Sequence, residues 1–127
     1  MFCIDTNIFI EFLRGNKDII EKLNNANLEE IFITPITLCE LYQGAYLSKN
    51  IDFKIKEIDD LISSFSLLEF NSDICKDFGN EYVKLRNSGK MIPEFDIIIS
   101  SFVKVNNLIL ITRDNHFENT GIKIEVW

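Results

Sequence analysis

One histidine, one tryptophan, two prolines and three cysteines are all that 127 residues contain of these types, and each scarcity closes off a class of structure. Cys3, Cys39 and Cys75 are far apart and form no CxxC pair, so neither a disulfide framework nor a zinc centre is expected. Their apolar neighbours predict three buried thiols. No repeat, low-complexity tract or linker interrupts the chain, and its length suits one hydrophobic core. A single domain over residues 1–127 is therefore expected. No apolar run is long enough to cross a bilayer, and no basic segment leads into a signal-like stretch. A cytoplasmic protein without membrane contact is the expectation. Aromatic residues are mostly phenylalanine, 11 against three tyrosines and one tryptophan, which suits core filling better than base stacking.

Positive charge is also short, with 13 Lys and Arg against 20 Asp and Glu for a net charge of −7. A nucleic-acid binder ordinarily presents a basic face, so the total argues against such a partner. That argument reverses if several acids converge on a divalent cation, which inverts the local field and welcomes a phosphate. Position must decide. What the chain does have is ordinary globular composition, 46% hydrophobic and 26% charged.

Phe2 to Ile4 reads as a short apolar strand ending at Asp5, after which Thr6 and Asn7 can cap a helix running to Gly15. A helix over Lys17 to Asn25 follows, then a strand at Ile31 to Ile33 and a helix from Ile36 to Ser48. Helical spacing covers Ile51 to Phe65, a brief strand lies at Leu67 and Leu68, and another helix runs from Asn71 or Ser72 towards Asn87. Pro93 suits the first turn of an apolar helix ending near Asn106, before strands at Leu108 to Ile111 and Ile122 to Val126, the last at an edge. Alternating strands and helices predict an α/β sandwich. Short apolar strands without clean alternation suit a mainly parallel sheet covered on both faces.

In such folds ligands bind beyond the carboxyl ends of the strands. Asp5 ends the first strand and Asp114 follows the Leu108 strand, while Asp96 lies in the first turn of the Pro93 helix and Glu40 about one turn into the helix after the second strand, each expected near the same rim. Four carboxylates from four segments can meet there. Their hard oxygens suit Mg²⁺ or Mn²⁺, the ions that assist phosphodiester hydrolysis. Taken singly each acid also has a structural reading as helix cap, dipole partner, solvated group or turn former.

IDTNIFIEFL, then ITLCELYQGA, then IPEFDIIISS and LILITRDNHF resemble, in order and spacing over nearly the whole chain, the motifs of VapC-type PIN-domain toxins. The resemblance implies a PIN-like three-layer sandwich with about five strands. It also implies an Mg²⁺- or Mn²⁺-dependent endoribonuclease of a type II toxin–antitoxin system, an inhibitory antitoxin in the active-site groove, and a homodimer. By motif, Asp5, Glu40, Asp96 and Asp114 would be the metal-binding and catalytic acids, with Asn7 and Thr112 supporting them. His116 departs from the pattern, standing where many members have a second acid. Glu94 is a further acid near the rim, and Lys84, Arg86, Lys90 and Arg113 are basic candidates for phosphate contacts.

Three other readings compete. A Mg²⁺-binding signalling receiver domain would need paired acids after the first strand and a lysine after a late one; here Asp5 stands alone and Thr112-Arg113-Asp114 follows the Leu108 strand. An RNA-processing PIN nuclease without an antitoxin has the same sequence signature. A catalytically silent binding module is disfavoured by the intact acidic quartet, since clustered like charges are costly without a cation.

Overall fold

Strand β1 (Phe2–Ile4) lies at the centre of the sheet because the apolar strands on either side, β2 (Ile31–Ile33) and β4 (Ile109–Thr112), need a partner buried on both faces. The computed structural model describes residues 1–127. Two further strands, β3 (Ser66–Leu67) and β5 (Ile124–Val126), complete the order β3-β2-β1-β4-β5, and every pairing is parallel. Six helices connect them: α1 (Thr6–Leu13), α2 (Lys17–Asn25), α3 (Pro35–Tyr46), α4 (Ile51–Ile62), α5 (Ser72–Ser88) and α6 (Glu94–Val105).

Register puts Cys3 beside Leu110 and Ile4 beside Ile111, and the twofold alternation of a strand sends these pairs to opposite faces. Ile4 and Ile111 pack with Ile8 and Phe9 of α1, Ile19 and Leu23 of α2, Leu41 of α3 and Ile58 of α4. Cys3 and Leu110 pack on the other face with Ile74 of α5 and Ile99, Phe102 and Val103 of α6. The result is the expected three-layer sandwich with helices on both sides. Burying each such aliphatic or aromatic side chain contributes about 1.5–3 kcal/mol.

From β1 the chain steps outward to β2 and β3, then crosses back through α5 and α6 to β4 on the other side of β1. The carboxyl ends of β1 and β4 therefore flank the point where strand order reverses, the position at which open parallel sheets bind ligands.

Several local expectations are corrected. Asp5, not Thr6 or Asn7, caps α1 by accepting the Thr6 N–H, and Pro93 stands at the cap of α6, one position before its first turn. The strand expected at Leu67 and Leu68 is shifted to Ser66–Leu67 and exposed, an edge with little apolar surface to cover. Two 3-10 turns, Leu28–Glu30 and Asn115–Thr120, escaped the sequence reading because neither has helical periodicity. Of the three cysteines only Cys3 is buried; Cys39 and Cys75 lie on the solvent sides of α3 and α5. Their sequence neighbours are apolar, but the helical repeat turns neighbours to different faces.

Helix α5 starts at Asn71, whose side chain accepts the Ile74 N–H, and stops at Gly89, which adopts a left-handed φ of 68°. Open space surrounds both Gly89 and the mid-helix Gly79, so backbone conformation alone sets the effect of adding a methyl group. Gly89→Ala is expected to destabilise the protein by about 1 kcal/mol and Gly79→Ala to stabilise it by a similar amount. Urea unfolding of the two variants should therefore move the midpoint in opposite directions, and movement in the same direction would refute this account.

Candidate active site

At the end of β1 the backbone of Asp5 extends the ladder by one bond, its N–H donating to the Ile111 carbonyl at 3.0 Å. Its side chain turns out of the sheet, accepting the Thr6 N–H at 2.8 Å and the Thr112 hydroxyl at 2.7 Å. Thr112, the last residue of β4, in turn accepts the Asp114 N–H at 3.0 Å and the Asn7 side-chain amide at 3.2 Å. Asn7 closes the circuit by accepting the Arg113 N–H. One buried hydroxyl thus ties the ends of both central strands to Asp5 and to the turn carrying Asp114.

Glu40 arrives from α3, whose start is fixed by Pro35 and by Thr34, the fully buried cap that accepts the Thr37 N–H at 3.0 Å. Its Oε1 accepts the Thr6 hydroxyl at 2.7 Å. Asp96 lies in the first turn of α6, where a negative charge also suits the helix dipole. Asp5, Glu40, Asp96 and Asp114 all line one cavity of about 550 Å³, together with Thr6, Asn7, Glu94 and His116.

The electrostatics record the crowding. Burial raises the Asp5 carboxyl from 3.8 to about 6, opposed by the Thr112 and Thr6 hydrogen bonds and reinforced by the charges of Asp96 and Glu40. Asp96 is likewise raised, by burial first and then by Glu40 and Asp114. No lysine or arginine lines the cavity. Donor atoms of Asp96, Asp114 and His116 lie within 4.8 Å of one another, and an oxygen-rich donor set without a protein counter-cation fits a small hard dication.

The four acids expected from sequence are brought together, and so is Glu94, at the exposed rim. Asn7 lines the cavity, whereas Thr112 stands behind it, in contact with Asp5. The basic candidates do not reach it. Lys84 pairs with Glu81 on α5 and Arg113 with Glu11 of α1 at 3.3 Å, while Arg86 and Lys90 sit in or just beyond the last turn of α5. Thr6 and Ile10 were missed as lining residues. Their signal was the spacing of four, which places both on one face of α1 beside Glu40.

Comparison with known proteins agrees with this geometry. The pattern of the PIN domain matches residues 2–123, and the chain belongs to the PIN-domain family. Its branch is the VapC ribonucleases. It is 30% identical to Ribonuclease VapC2 of Haemophilus influenzae, over 99% of this chain and 97% of that protein. It is 26% identical to the tRNA(fMet)-specific endonuclease VapC of Shigella flexneri, with the same coverage. The crystal structure of DNA-bound VapBC from Salmonella typhimurium superposes with a TM-score of 0.92 at 26% identity, over 99% of this chain and 97% of that one. No helix is long and apolar enough to cross a membrane.

The raised Asp5 carboxyl has a consequence for stability. A carboxyl whose pKa is higher folded than unfolded contributes stability that is full below the unfolded value of 3.8 and is lost as pH rises through about 6. In EDTA, Asp5→Asn should unfold near the wild-type midpoint at pH 4 but above it at pH 7.5. The difference should be roughly 3 kcal/mol, the equivalent of two pH units. Parallel pH profiles for the two proteins would contradict the assignment.

Proposed function

We propose that the protein is a VapC-like toxin, a metal-dependent endoribonuclease that hydrolyses RNA phosphodiester bonds and is held inactive by a cognate antitoxin. The observation that carries this reading is the convergence of Asp5, Glu40, Asp96 and Asp114 on one cavity with no lysine or arginine in it. Those four carboxylates would hold Mg²⁺ or Mn²⁺. A bound cation would acidify water at the site and stabilise negative charge on the leaving oxygen.

The rest of the work belongs to the chain. Thr112 and the Thr6 N–H occupy lone pairs of Asp5, and the Thr6 hydroxyl occupies one of Glu40, so the remaining lone pairs are aimed rather than free to rotate. Asn7 holds Thr112 in turn, donating its side-chain amide to the Thr112 hydroxyl. The water oxygen adds to phosphorus as the bond to the 3′-oxygen breaks, leaving a 5′-phosphate on one product and a 3′-hydroxyl on the other. Exposed Phe95 and Ile10 flank the acids and offer apolar surface to a splayed nucleotide. Single-stranded or looped RNA, whose backbone is accessible, suits such an open groove.

An apolar cleft of about 280 Å³ opens from the same rim, sharing Ile10 and Glu40 with the cavity and lined further by Leu13, Leu41, Ala45 and Ile58 of α1, α3 and α4. It gives an antitoxin segment apolar anchors beside the acids. A basic side chain of that segment reaching the carboxylates would take the place of the cation.

Purified protein with Mn²⁺ is expected to cut RNA, and Asp96→Asn to lower the rate by a factor of 100 or more, on the order of losing one essential electrostatic group. Its unfolding midpoint in EDTA should not fall below that of wild type, and saturating Mn²⁺ or Mg²⁺ should raise the wild-type midpoint by binding the native state alone. Normal cutting by the variant, or no shift with either cation, would overturn the reading.

A further inference from the structure

His116 is the single histidine of the chain, and it lines the acidic cavity. The 3-10 turn Asn115–Thr120 puts it there. Asp114 caps that turn by accepting the His116 N–H at 2.9 Å, so the two residues share one local structure. Phe117, fully buried in the core under α6, anchors the turn, and the Thr120 hydroxyl donates to the Phe117 carbonyl and accepts from Ser100. The position of the turn is thus set by packing, although the His116 side chain it carries is half exposed.

Nδ1 of His116 lies 3.1 Å from Asp114 Oδ2 and 3.6 Å from Asp96 Oδ2. Adjacent ligand atoms on one small dication stand about 3 Å apart, because bonds of about 2.1 Å meet near right angles. Two carboxylates and an imidazole form a mixed oxygen and nitrogen donor set. Mg²⁺ favours oxygen and sheds water reluctantly, whereas first-row transition dications accept imidazole more readily than Mg²⁺ does, Mn²⁺ being the hardest of them.

Resting on the reading of the site as a metal-dependent nuclease centre, we propose that His116 is a metal-ligating residue that biases this centre toward a transition-metal dication over Mg²⁺. The imidazole takes the place that a further acid would hold in an all-oxygen site. Specificity for the cation is then a property of this chain's own turn.

The full-length protein is titrated calorimetrically with Mn²⁺ and, separately, with Mg²⁺, as wild type, His116→Asn and Asp96→Asn. Pulsed electron paramagnetic resonance of the Mn²⁺ complex reads nitrogen coupling directly. Wild type should show a nitrogen coupling that changes on ¹⁵N-histidine labelling and disappears in His116→Asn. The same variant should lose about tenfold in Mn²⁺ affinity, the scale on which a lost ligand or orienting partner is felt, with Mg²⁺ affinity little changed. Absence of nitrogen coupling in wild type overturns the proposal without any variant. So does a rise in affinity for both ions in His116→Asn, which would mean that the ring only bridges the carboxylates as a cation. If Asp96→Asn abolishes Mn²⁺ binding while His116→Asn changes nothing, His116 alone is misassigned. If Asp96→Asn binds Mn²⁺ normally, the metal centre itself falls, and His116 with it.

Discussion

The mutual repulsion of carboxylates held at the reversal point of the sheet is the constraint around which this molecule is organised. Asp5 is only 5% exposed and carries a raised pKa, with Glu40, Asp96 and Asp114 gathered on the same cavity. Such an arrangement is unfavourable in isolation. It persists because each acid is delivered by an element that folds for other reasons. Asp5 ends a strand buried on both faces, Glu40 rides a helix capped by the buried Thr34, Asp96 opens an apolar helix, and Asp114 caps a turn anchored by Phe117.

The hydroxyls of Thr112 and Thr6 convert that crowding into defined geometry. A carboxylate with one lone pair engaged by a neutral donor keeps its charge and loses rotational freedom, which suits the cation-holding role proposed for these acids. Because the donors are threonines and backbone amides, no lysine or arginine competes for the acids. The excess of acid in the composition therefore does not oppose an RNA substrate. Part of it is concentrated where a dication would reverse its sign.

Much of the fold was legible in the chain. The order of strands and helices follows from apolar runs, caps and stops such as Asn71, Gly89 and Pro93, all of which are local signals. The acids at strand ends were legible for the same reason, since Asp5 directly follows one strand and Asp114 lies two residues past another. Less legible were the burial of individual cysteines, the exposed edge strand β3 and the turn Asn115–Thr120, which depend on what lies across from a residue. The basic residues near the acids in sequence proved to be turned toward Glu81 and Glu11 or left on α5.

Periodicity, caps and motif order thus determined by themselves the elements, their sequence along the chain, and the four acids worth watching, because each is written in residues a few positions apart. Only the tertiary structure decided that β1 lies between β2 and β4, and with that the meeting of residues as distant as Asp5 and Thr112. It also decided that Thr6 faces Glu40 and that His116 enters the cavity. Those contacts depend on strand order and helix rotation about a shared core, which no local stretch of sequence specifies.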